Sequence, residues 1–175
     1  MIQSLESLHR AAQERGSRVL AVAAAQDAEV LLAVDAARKL GIATAILVGD
    51  EEQIRAIAQA HGIPLEPHRI LPEPDKVQAC RTAVKLVRDG QADAVMKGIV
   101  DTSIILKAVL DKEIGLRDAP VLSHVALFQV PGYDRLLYVT DAAMNIAPDL
   151  EAKKHIVSNA VKVAHALGNP NPIVA

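Results

Sequence analysis

The apolar positions of this chain follow two rhythms. Residues 2–15 set Ile2, Leu5, Leu8 and Ala12 on one stripe at helical spacing, and Gly16 ends the run. Arg18 to Ala25 is instead a continuous stretch of small apolar residues, short enough to be a buried strand. Gln26-Asp27 then caps a helix that runs to Lys39 and stops at Leu40-Gly41. Ile42 to Val48 is a second strand, closed by Gly49-Asp50, and Glu51 to His61 is a second crossover helix. Strand, helix, strand, helix at this spacing predicts a parallel sheet built from crossover units.

Beyond Gly62 the pattern is broken by Pro64, Pro67, Pro72 and Pro74, which leave room for a short strand around His68 to Leu71. The string PEPDK launches a helix from Asp75 to Arg88. Ala92 to Met96 is the next apolar strand. It ends in Lys97-Gly98, and the polar step Asp101-Thr102-Ser103 opens a further helix. Helical spacing puts Ser103, Lys107 and Asp111 on one face of it, away from Ile104, Ile105 and Leu106. After a charged connector, Val121 to Val130 is extended. Pro131-Gly132 makes a tight turn, and Leu136 to Thr140 resumes as a strand. Strands joined by so short a turn are antiparallel, so the expected fold is α/β: three αβα layers around a mixed sheet, mostly parallel with one antiparallel hairpin. Asp141 to Pro148 is a polar exit loop, Asp149 caps a last helix to Leu167, and Ile173 to Ala175 looks like the opening of another strand.

Composition sharpens this picture. Hydrophobic residues make up 51% of the chain but aromatic residues only 2%, so the core must be Ala, Val, Ile and Leu. A helix-covered parallel sheet suits that core. The net charge of −2, with both signs scattered and few aromatic rings, argues against a nucleic-acid surface. No apolar stretch approaches a membrane span or a signal peptide, so a soluble cytoplasmic protein is the expectation. The single cysteine, Cys80, offers neither a disulfide nor a metal site and belongs in the core. Neither GxGxxG nor GxxxxGK[ST] nor GxSxG occurs where it would carry chemistry. None of the six histidines pairs with another at helical spacing, and no metal is expected.

The candidate chemistry gathers at Lys97-Gly98. A strand that ends in a glycine turn and gives way to a helix N-terminus presents backbone N–H groups, and an adjacent lysine suits them to an oxyanion. Lys107, one turn along the helix, is the second candidate cation. The plainer alternative is that both lysines are solvated. His124, following Ser123 in an apolar strand, is either a hydrogen-bonded core histidine or a working imidazole. Asp141 and Asn145 end the partner strand. They serve either as turn and capping residues or with Ser123 and Lys97 around one cleft.

These residues carry a resemblance. MKGIVDTSIILKAVL, followed by VLSHVALFQVPGYDRLLYVTDAAMNIAPDLEAK, resembles the phosphate acetyltransferase and phosphate butyryltransferase family, with the M-K-G and S-H-V wording closer to the butyryl branch. The resemblance implies reversible exchange between acyl-CoA plus inorganic phosphate and acyl phosphate plus free CoA. It implies coenzyme A as substrate rather than cofactor, and a homodimer. It also implies a two-lobed fold similar to isocitrate and isopropylmalate dehydrogenases. Family members are longer, so residues 1–175 are expected to be one α/β domain from the first part of such an enzyme, truncated at its C-terminus. By the same resemblance Lys97, Gly98, Thr102 and Lys107 would line the phosphate side, and Asp141 and Asn145 the cleft wall. His124 is the one candidate for protonating the leaving thiolate. A binding module without turnover is the alternative. A decarboxylating dehydrogenase would need a metal-binding aspartate set and a nucleotide loop, and neither is found.

Overall fold

Ala21, Val22 and Ala23 have no exposed surface, because the strand they form is covered on both faces. In the computed structural model, which describes residues 2–175, the elements follow in the order α1 (Leu5–Glu14), β1 (Arg18–Ala23), α2 (Ala28–Lys39), β2 (Ala43–Gly49), α3 (Glu51–His61), β3 (Arg69–Pro72), α4 (Lys76–Arg88), β4 (Ala94–Lys97), α5 (Thr102–Val109), β5 (Ala126–Phe128), β6 (Leu137–Val139) and α6 (Leu150–Ala166). Contacts divide them into two compact units, Arg15–Arg117 on the one hand and Met1–Glu14 with Asp118–Ala175 on the other.

The first of these units holds a four-stranded sheet in the order β3-β2-β1-β4. Every pairing in it is parallel. Successive strand residues face opposite ways, and the core divides accordingly. Ala21, Ala23, Ile46 and Val48 pack against Ala79, Cys80, Ala83 and Val84 of α4 and Ile105 and Ala108 of α5. On the other face Val22, Ala45 and Leu47 meet Leu31 and Val34 of α2 and Ile54 and Ala58 of α3. The three αβα layers expected from the sequence are therefore present here. Cys80 is a fully buried core residue, and burial pushes its thiol pKa up against the opposing pull of the Lys97 charge.

The helix starts are set by the aspartates that follow the strands. Asp27, Asp50 and Asp75 accept hydrogen bonds from the backbone N–H groups of Val30, Gln53 and Gln78. At the start of α5, Asp101 occupies the same capping position but makes no side-chain cap. That helix ends at Val109 with Leu110 as its C-cap, two residues short of Asp111, which the sequence pattern places on it. Asp111 thus leaves the face it was expected to share with Ser103 and Lys107. Its carboxylate is drawn instead to the backbone N–H of Ile114 and Glu113 and to the Arg81 guanidinium, which together hold its pKa at about 2. These competing partners are why the helix stops.

The second unit contains α1, α6 and the two strands β5 and β6. These strands pair antiparallel, with Leu127 opposite Tyr138. The parallel and antiparallel pairings predicted from the sequence both occur, but as two sheets rather than one mixed sheet. The extended run from Val121 to Val130 forms regular strand only over Ala126–Phe128. Residues 173–175 form no strand, since nothing pairs with them among the described residues and Ile173 is 88% exposed. Among the described residues no helix is long and apolar enough to cross a membrane.

Candidate functional site

Strand order decides where a ligand can enter. From β1 the chain moves to β2 and β3 on one side, then returns to lay β4 on the other side of β1. The loops leaving β1 and β4 therefore diverge, and a crevice opens outside the carboxyl ends of the two strands. Open parallel sheets bind their ligands at such a reversal. A cavity of about 410 Å³ lies there, lined by Asp27 and Val30 from the β1 side, Lys97, Gly98, Ile99, Val100, Asp101 and Ile104 from the β4 side, and Lys76 from α4.

The floor of the crevice is backbone on backbone. Gly98 N–H donates to the Ala23 carbonyl at 2.8 Å and Ile99 N–H to that of Ala24 at 2.9 Å. A Cβ at position 98 would stand 2.2 Å from the Ala24 oxygen and 2.6 Å from that of Ala23. Only glycine fits. Ala24 itself is held at φ 54°, a left-handed conformation that costs a non-glycine residue about 1–2 kcal/mol. Backbone strain of this kind gathers at working sites because the surrounding structure must enforce it.

Charge in the crevice is balanced rather than simply positive. The Lys97 ammonium donates to the carbonyls of Val100 at 3.1 Å and Gly98 at 3.3 Å, which hold it over the turn. Asp27 is engaged with the N-terminus of α2. Asp101 leaves the first amides of α5 uncapped at the edge of the cavity. Thr102 is the next residue and is exposed. Lys107 is exposed as well but is not among the lining residues. Lys76 and Asp27, both in the lining, were not singled out for chemistry from the sequence. The available signal was the string PEPDK and the Gln26-Asp27 step, each of which follows a strand of the parallel sheet.

Ser123, His124, Asp141 and Asn145 belong to the other unit and form a cluster of their own. Asp141 Oδ1 accepts the backbone N–H of His124 at 3.1 Å, and its other oxygen receives the Asn145 side-chain amide. Asn145 also donates to the Leu122 carbonyl at 3.0 Å. Ser123 Oγ accepts from Asn159 of α6 at 2.9 Å. Burial alone would raise the Asp141 pKa, but the donors from Asn145, His124, Met144 and Ala143 outweigh it and hold the carboxyl below its usual value. The expected buried imidazole is not found. His124 is exposed and precedes β5, because the strand is too short to enclose it. It is the His124 backbone, not the ring, that Asp141 and Thr140 engage.

The first unit defines the class: an open parallel α/β domain with a cation-bearing pocket at its strand ends. The family follows from comparison. Residues 73–175, more than half of the chain, match the family model described as "Phosphate acetyl/butaryl transferase", and the chain belongs to that family. It is 47% identical over 175 residues to the phosphate butyryltransferase of Clostridium acetobutylicum, a match covering 100% of this chain and 58% of that protein. The phosphate acetyltransferase of Thermotoga maritima is 34% identical over 171 residues, covering 98% of this chain and 58% of that one. Among solved structures, a branched-chain phosphotransacylase from Enterococcus faecalis gives a TM-score of 0.72 at 30% identity, over 86% of this chain and 52% of the other. A phosphotransacetylase from Streptococcus pyogenes gives 0.74 at 18% identity, over 94% of this chain and 60% of the other, a likeness of fold alone. The chain thus spans a little more than half the length of these relatives.

Proposed function

We propose that this chain provides the phosphate side of a phosphate acyltransferase, with a short acyl group such as butyryl as the one transferred. A phosphate oxygen attacks the thioester carbonyl carbon of acyl-CoA and a C–O bond forms. The C–S bond breaks, its electron pair leaves with sulfur, and acyl phosphate and CoA result. Phosphate approaches that carbonyl carrying negative charge, so the groups that hold it must supply cation and oriented N–H. The observation that carries the reading is the Lys97-Gly98 turn beside the uncapped start of α5. Thr102 stands next in the chain to contribute a hydroxyl. Ser123, Asp141 and Asn145 are assigned to substrate binding, and His124, whose ring is exposed, to protonation of the departing thiolate.

The finer expectations belong to the same proposal: a cytoplasmic homodimer with a two-lobed, isocitrate dehydrogenase-like architecture, using coenzyme A as substrate and no further cofactor. Support for the butyryl branch comes from relatives named phosphate butyryltransferase at 47% and 46% identity. The test is release of free CoA thiol from butyryl-CoA, measured with and without inorganic phosphate, on this chain and on a version extended to the relatives' length. Release that depends on phosphate is expected. An extended protein inert toward all short-chain acyl-CoAs would overturn the reading. In an active form, Lys97→Ala should raise the phosphate KM about tenfold or more, and the acyl-CoA KM much less.

A second reading is favoured by one observation, a crevice lining that offers lysines and backbone amides but no histidine, serine or cysteine. It is a module that binds CoA or phosphate without turnover. Titration calorimetry that shows binding by a chain with no thiol release would select it.

A further inference from the structure

The crevice between β1 and β4 holds two aspartates, Asp27 and Asp101, and only two cationic side chains, Lys97 and Lys76. With Lys97 as the sole cation its lining would carry a net negative charge and repel an oxyanion. Lys107, the second cation suggested by the sequence, is not in the lining. We propose that Lys76, the first residue of α4, is the second phosphate-holding cation of this pocket. The inference rests on the phosphate-site reading above and assigns that site a residue from a different element.

Three features support it. Lys76 is exposed and makes no ion pair or side-chain hydrogen bond among the described residues, so its ammonium is free to turn to a ligand. Its position also runs against helix electrostatics, which favour acids in the first turn and bases in the last. The first turns of α1, α2, α3 and α6 carry a glutamate; those of α4 and α5 have no acid, and α4 alone of the six begins with a lysine. A residue that opposes its own helix and lines a cavity has a use in the cavity. Finally, Lys97 is held by the carbonyls of its own turn and Lys76 enters from α4, so a phosphate between them would be gripped by two separately anchored elements.

The experiment is titration of inorganic phosphate into the purified chain, followed by 31P NMR line broadening, for the wild type and for Lys76→Gln, Lys107→Gln and Lys85→Gln. Wild-type binding that falls about tenfold or more in Lys76→Gln, with a shallower dependence on ionic strength, is the expected result. Lys85, in the last turn of the same helix, controls for loss of charge alone and should leave affinity within twofold. Thermal unfolding separates ligand loss from misfolding, because Lys76→Gln relieves an unfavourable helix-end charge and should melt no lower than the wild type. Unchanged phosphate affinity in Lys76→Gln would overturn the proposal, as would weakening confined to Lys107→Gln or a wild type that binds no phosphate. The acyltransferase reading fails separately, by absent thiol release from the extended protein.

Discussion

The Gly98 α-carbon and the Ala24 carbonyl lie so close that one added methyl at position 98 would stand 2.2 Å from that oxygen. This contact locks the carboxyl end of β4 against that of β1 and forms the floor of the proposed phosphate site. Gly98→Ala must push two strand ends apart, because the clash is with backbone rather than with a yielding side chain. Overpacking of this kind costs typically 1–3 kcal/mol. A urea midpoint equal to that of the wild type would show that the strand ends part freely.

His68 makes stability depend on pH. Its Nδ1 accepts the backbone N–H of Ala45 at 3.1 Å, standing in for a strand carbonyl at the start of β3, and its Nε2 is buried without a partner among the described residues. Burial lowers its pKa, Arg38 adds to the effect and Asp35 opposes it. Glu51, Arg55 and Glu66 line the cavity beside it. The folded state therefore prefers the neutral ring, and the unfolded chain takes up the proton first. Stability from this group is full above the ordinary histidine pKa of about 6.5 and is lost as pH falls through the lower folded value. His68→Asn, which keeps an acceptor but cannot titrate there, should flatten the melting-temperature profile below pH 7. An unchanged slope would remove His68 as the cause.

Asp111 acts at lower pH. With the amides of Ile114 and Glu113 and the Arg81 guanidinium holding its pKa at about 2, its contribution is complete above about pH 4 and is lost as pH falls toward 2. Asp111→Asn should lower the melting temperature at pH 7 and bring mutant and wild type together near pH 2. Parallel curves across that range would refute this.

Asp141 is the anchor of the exit loop. Asp141→Ala removes the acceptor shared by the amides of His124, Ala143 and Met144 and by Asn145. A loss of roughly 1 kcal/mol or more is expected. His124→Ala should leave stability within about 0.5 kcal/mol, because its exposed ring makes no hydrogen bond among the described residues. Denaturant unfolding of the two variants checks the contrast, and equal destabilisation would contradict the assigned roles.

The sequence by itself determined the elements and their order. Small-apolar runs broken by Asp and Gly are local signals: Asp27 and Asp149 cap the helices expected of them, and Asp50 and Asp75, expected to close a strand and to open a helix, are caps as well. The Lys97-Gly98 junction was legible for the same reason, since strand, turn and helix start are neighbours in the chain. Where competing partners lie apart in sequence, legibility ended. Arg81 is thirty residues from the Asp111 it draws out of the helical pattern. The brevity of β5 left the His124 ring exposed, which its apolar neighbours did not reveal. Only the tertiary structure decided that β4 returns beside β1, bringing Lys76 and Asp27 to the crevice and leaving Lys107 outside it. Periodicity assigns each side chain a face on its own element, but strand order arises from pairing between distant segments, and that order places the cavity.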